Sequence, residues 1–151
     1  MKEAFTHKSL LILGRGIGQV MFQNNALSGL LMLIGIFLNS WQMGLLAVSG
    51  NIISTSTGRI SGYDRDDIKN GLYGFNGTLV GIAVGGFMHL TVNSLILMAI
   101  ASCASTYIAR FFNMQRMLPG FTTLFILSVW MLLGLCSWLM PDMLLVSDTE
   151  T

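Results

Sequence analysis

Residues 68 to 87, IKNGLYGFNGTLVGIAVGGF, spread glycines through an apolar segment of membrane-spanning length. Gly74, Gly77, Gly81 and Gly85 recur at intervals of three and four. At about 100° per residue they share one helix face, where a neighbouring backbone can come close. Phe75, Leu79 and Ile82 fall about a quarter turn away. A glycine in a soluble helix costs about 1 kcal/mol relative to alanine, so this face argues for close packing in lipid or for a narrow passage.

The rest of the chain agrees with a bilayer setting. Hydrophobic residues make up 53% and charged residues only 10%, with a mean hydropathy of +0.69, whereas soluble domains carry roughly 25% charge. The 151 residues suffice for one all-α integral membrane domain of about five transmembrane helices at roughly 20 residues each. Residues 1 to 8 read as a cytoplasmic N-terminal segment and 141 to 151 as a polar C-terminal tail. Between them, 9 to 140 form a single membrane domain. Residues 9 to 24 are too interrupted by Gly14, Arg15, Gly16, Gly18 and Gln19 to cross alone, and read as a re-entrant half-helix that lines protein or a cavity. Spans come next at about 25–40, 42–58, 70–89, 92–111 and 118–140. The second is polar through Ser49, Asn51, Ser54, Thr55, Ser56 and Thr57, whose hydroxyls can return hydrogen bonds to their own helix. The N-terminus lacks the apolar run and small-residue cleavage pattern of a signal peptide.

Threading these spans places all eight basic residues, Lys2, Lys8, Arg15, Arg59, Arg65, Lys69, Arg110 and Arg116, on one side. The positive-inside rule makes that side cytoplasmic, with Asp142, Asp148 and Glu150 outside, and the location a cell membrane crossed several times. The net charge of +1 gives no reason to expect nucleic acid as a partner. Cys103 and Cys136 lack metal-ligand spacing and read as apolar packing residues. No cluster of carboxylates and no nucleophile beside a base appears, so an enzyme is not expected, and neither is a metal or cofactor.

The polar uncharged residues are more informative. Gln19 lies three residues before Phe22 and four before Gln23, so an amide and a ring can share one face of the short helix. Asn24 and Asn25 fall where that helix should end, near exposed carbonyls. Thr122 and Thr123 come directly after the breaker pair Pro119-Gly120 and Phe121. Each alone is explained by helix-to-helix hydrogen bonding, but together they make a polar seam between aromatic walls. Such a seam suits a small, flat, neutral solute rich in N–H groups better than an ion, which calls for charged rings or a carbonyl cage.

Four motifs, in order, carry a resemblance: Arg15-Gly-Ile-Gly-Gln-Val-Met-Phe-Gln-Asn-Asn25, Leu27-Ser-Gly29, Gly71-Leu-Tyr-Gly-Phe-Asn-Gly-Thr-Leu-Val-Gly81 and Leu118-Pro-Gly-Phe-Thr122. The chain resembles the urea transporter family over about residues 10 to 125, with a departure at Leu124, where the family usually has proline. The resemblance implies two inverted repeats, each of five spans and one re-entrant helix, enclosing a urea channel, with three such pores in a trimer. It covers the first repeat only, so the chain is half-length. It further implies passive urea flux without a cofactor, and by position assigns Gln19, Val20 and Phe22 to the pore mouth, Phe75 and Leu79 to the facing wall, and Thr122 to the central hydroxyl. The expected partners are urea, the lipid bilayer and a complementary half or second copy. Two alternatives stay open: a half-transporter or membrane subunit that does not transport, and a channel for another small amide or ammonia.

Overall fold

The computed structural model describes residues 2–21, 23–115 and 123–143. Among them the regular elements are helical: α1 (Lys2–Gly18), a 3-10 turn (Gln19–Met21), α2 (Ala26–Asn39), α3 (Trp41–Ile60), α4 (Arg65–Lys69), α5 (Leu72–Phe87), α6 (Val92–Gln115), α7 (Thr123–Leu139) and a 3-10 turn (Pro141–Met143).

Local chemistry sets the boundaries. Asn25 opens α2 by accepting from Leu27 N at 2.9 Å, and Ser40 opens α3 by accepting from Met43 N at 3.3 Å. Thr91 and Ser94 form a reciprocal capping box before α6: Thr91 N donates to Ser94 Oγ at 2.9 Å, and Ser94 N to Thr91 Oγ1 at 3.3 Å. Asp64 caps α4, and Asp66 and Asp67 in its first turn complement the helix dipole. Gly71, at φ +76°, turns the chain from α4 into α5. A side chain there would be strained and would also strike the Gly16 backbone.

The core is a backbone-to-backbone pairing of α3 with α5. Gly77 lies against the Gly50 carbonyl and Ser54, Gly81 against Leu46 and Ala47, Gly85 against Met43, and Gly74 against Asn51 and Thr55. The glycine face expected from the sequence is therefore the face that meets α3. Helix α1 docks in the same manner, with Gly14 against Ala26, Gly29 against the Gly14 backbone, and Gly16 against Asn51 and Gly74. One apolar cluster, including Leu46, Val80, Val84, Met98 and Leu132, ties α3 and α5 to α6 and α7.

The expectation for α3 needs correcting in part. Ser49 and Thr57 do return hydrogen bonds to their own helix, to Leu45 O and Ile53 O, both at 2.8 Å. Asn51 and Ser54 reach across instead. Asn51 Nδ2 donates to Leu13 O at 3.1 Å and to Thr78 Oγ1 at 3.0 Å, while Ser54 Oγ donates to Tyr73 O at 2.8 Å and meets Thr106 Oγ1. Both are fully buried, so this face of α3 is interior and these two polar groups are satisfied by α1, α5 and α6.

Helix α1 begins at Lys2, ahead of the Ser9 limit set for the half-helix, and ends at Gly18. Among the described residues one helical stretch, Val92–Phe111, is long and apolar enough to cross a membrane by itself. Thr6–Met21 with Ala26–Asn39, turned 74° at their junction, makes a second if taken as one broken span. At 14, 16 and 17 residues, α2, α5 and α7 fall short of the roughly 20 that a crossing normally takes.

Candidate functional site

The α1 terminus is fastened to the turn between α4 and α5 by three hydrogen bonds. Arg15 Nη1 donates to Lys69 O at 3.2 Å, Gln19 Nε2 to Asn70 O at 3.1 Å, and Asn24 Nδ2 to Asn70 Oδ1 at 3.0 Å. Gly16 against Gly71 permits this approach, because a Cβ at Gly71 would fall 2.7 Å from Gly16 Cα. Asn70 thus holds both sides of the Gln19–Asn24 segment, one with its carbonyl and one with its amide oxygen.

This fastening decides which end of the Gln19 amide is committed. Its N–H donates to the protein, so Oε1 is the end that can accept a hydrogen bond from an N–H outside. Val20 is next in the 3-10 turn, half-buried, and that turn packs against α5. On α5, Phe75 is 4% exposed and Leu79 half-buried. The structure therefore brings the Gln19–Val20 pair to the helix that bears Phe75 and Leu79. Phe22 and Thr122 lie outside the described residues.

The shared helical face expected for Gln19 and Gln23 does not form. The α-helix ends at Gly18, the 3-10 turn carries Gln19 to Met21 out of its phase, and Gln23 N closes the turn on Gly18 O at 3.1 Å. Gln23 Oε1 then accepts from Ser28 Oγ at 3.0 Å, on the α2 side. Asn24 and Asn25 do follow the end of α1 and its 3-10 turn, where Asn24 bonds Asn70 and Asn25 caps α2.

Asn70 has a role that its sequence context signals only weakly, through the Asn70-Gly71 dipeptide, a turn pair that here sets the left-handed glycine before α5. Among the described residues no group of three or more His, Cys, Asp or Glu is gathered as a metal site would require.

Comparisons with known proteins identify the family. The family model described as "Urea transporter" matches residues 10–145. Urea transporter 1 of Mus musculus is 40% identical over 75 residues, which is 50% of this chain and 20% of that protein. Urea transporter 1 of Rattus norvegicus is 41% identical over 73 residues, and that of Ovis aries 43% over 68, or 18% of its length. The matched region thus spans about a fifth of these curated relatives. Arg15 to Asn25 and Gly71 to Gly81, the segments that meet at Asn70, lie within a family match covering most of the sequence, and the chain belongs to the urea transporter family.

Proposed function

We propose that this chain supplies one half of a passive, selective path for urea across a cell membrane and completes that path by pairing with a complementary half. The observation that carries the reading is the committed Gln19 amide: with Nε2 held by Asn70 O, Oε1 is an acceptor beside the helix of Phe75 and Leu79. Urea is flat and offers four N–H donors. Each donor stripped of water and left unpaired costs about 1–3 kcal/mol, so an ordered row of acceptors decides whether it passes. The family and the relatives' names support urea as the solute.

In this reading the re-entrant segment and five crossings keep the limits expected from the sequence, and short helices such as α2 are accommodated by tilt or local thinning of the bilayer. The basic residues face the cytoplasm, as does the N-terminus. Val20 and Phe22 complete the mouth, Phe75 and Leu79 the facing wall, and Thr122 the central hydroxyl. The complete assembly is a trimer of pores.

Stopped-flow urea efflux from liposomes containing the purified chain tests this. Saturable urea flux, alone or after adding a complementary half, supports the proposal. Absence of flux from well-inserted protein under both conditions identifies a non-transporting subunit. Flux of acetamide or ammonia that urea fails to compete with changes the solute.

A further inference from the structure

A second polar feature lies apart from the candidate pore residues. Where α3 passes into α4, Ile12, Arg59, Tyr63, Arg65, Ile68 and Lys69 enclose an open cleft of about 430 Å³. Its three cations are exposed, while Ile12 and Ile68 are buried and give it an apolar floor. Two more cations stand beside it: Arg15 on the Lys69 carbonyl, and Arg110, whose guanidinium lies 5.2 Å from the centre of the Tyr63 ring. The nearby carboxylates offset this only in part. Asp66 meets Lys69 at 3.4 Å in a pair whose side chains are 62% and 83% exposed, an arrangement of little strength in water. Asp64 turns a carboxylate oxygen to the α4 backbone, and Asp67 stands in the first turn of the same helix.

The flank of the cleft distinguishes a lipid headgroup from a soluble anion. Ile60, at the end of α3, is 86% exposed, and Tyr107 on α6 is 54% exposed. Ser61 Oγ donates to Tyr107 OH at 3.4 Å, and Tyr63 meets Tyr107 edge-on at 6.3 Å, so Tyr107 stands beside a residue that lines the cleft. Exposed aliphatic and tyrosine surface directly beside basic side chains is the pattern of a membrane interface. A hydrated phosphate gains nothing from that flank, whereas a phospholipid lays its acyl chains on it.

We propose that the cleft binds the headgroup phosphate of an anionic phospholipid, with Arg59, Arg65 and Lys69 contacting the phosphate and the acyl chains lying along Ile60 and Tyr107. The proposal rests on the reading of the chain as a membrane protein. It also places the lipid one residue from Asn70, and so next to the fastening of Gln19.

The full chain, reconstituted in phosphatidylcholine nanodiscs with rising phosphatidylglycerol, tests it by native mass spectrometry of the lipid retained. Retention should saturate at one phosphatidylglycerol per chain. Each basic side chain near an anionic surface contributes about fivefold, so Arg65→Gln alone should weaken retention by about that factor, and Arg59→Gln/Arg65→Gln/Lys69→Gln together on the order of a hundredfold. Retention of phosphatidylcholine should stay unchanged in both variants. Graded uptake without saturation, or equal retention by parent and Arg65→Gln, overturns the site. Displacement of the lipid by millimolar inorganic phosphate assigns the cleft to a free anion and overturns the lipid assignment. Inserted chain that passes urea yet shows no lipid preference sinks this proposal alone, whereas a chain that does not enter bilayers sinks the membrane reading with it.

Discussion

Gly77→Ala tests whether the α3–α5 pairing holds the domain together. A Cβ on Gly77 would sit 2.6 Å from the Gly50 carbonyl carbon and 2.6 Å from Ser54 Cβ, and closer still to Gly50 O. Ordinary carbon contacts need about 3.5–4.0 Å, so the helices must part by about 1 Å, a gap that forfeits a quarter to a half of each dispersion contact along the seam. Overpacking typically costs about 1–3 kcal/mol, and the upper end applies because the obstructing carbonyl is backbone and cannot rotate away. Removing a helical glycine returns about 1 kcal/mol, leaving a net loss of about 2 kcal/mol. That lowers the ratio of folded to unfolded protein by about thirtyfold. Gly35→Ala is the matched control, since beyond its neighbouring residues and its own helix backbone no described atom lies within 4 Å of where its Cβ would stand, and it should be neutral or stabilising by up to about 1 kcal/mol. Equilibrium unfolding in mixed detergent, monitored by tryptophan fluorescence, measures both. A Gly77→Ala protein as stable as Gly35→Ala would refute the claim that backbone contact carries this seam.

Replacing Gln19 with Leu removes both the bond to Asn70 O and the Oε1 acceptor, and should depress urea efflux about tenfold or more with insertion intact. Equal efflux would remove Gln19 from the path. Asn70→Ala keeps the carbonyl that Gln19 uses but loses the acceptor for Asn24, so urea efflux should fall less than in Gln19→Leu; the order of the two rates is the readout. Phe75→Ala should widen the passage and raise acetamide flux relative to urea in competition assays, and an unchanged ratio would return Phe75 to simple packing. Ser94→Ala breaks the capping box of α6 and should cost about 1 kcal/mol in the same unfolding assay.

What the sequence made legible was what depends on period. Glycines three and four apart define a face whatever lies opposite, so the close-packing edge of α5 could be read without knowing that α3 meets it. Cross-chain polar contacts have no such local signature. Ser49 and Ser54 stand five residues apart on α3, yet the first bonds its own helix and the second Tyr73. Only the orientation of α3 among α1, α5 and α6 decides between them. The Gln19 assignment came from the resemblance, but its fastening did not, because the partner atom is a backbone carbonyl 51 residues away. Any residue type supplies such a carbonyl, so composition gives no hint of it. The helical phase assumed through Gly18 failed for a related reason: glycine and the 3-10 turn after it break the register by which Gln19 and Gln23 were expected to align.

The double hold of Asn70 has a consequence for the order of assembly. The segments it joins are 46 and 51 residues apart, against 27 for the Asn51 to Thr78 bond inside the α3–α5 pair. Closing the longer separation carries about 0.6 kcal/mol more chain entropy than closing the shorter one. On chain entropy alone, the bond inside the α3–α5 pair therefore closes ahead of the bonds at Asn70. Helical content then reports the scaffold and not the mouth, and amide hydrogen exchange at residues 16 to 24 is the signal that distinguishes a finished chain from one that is merely folded.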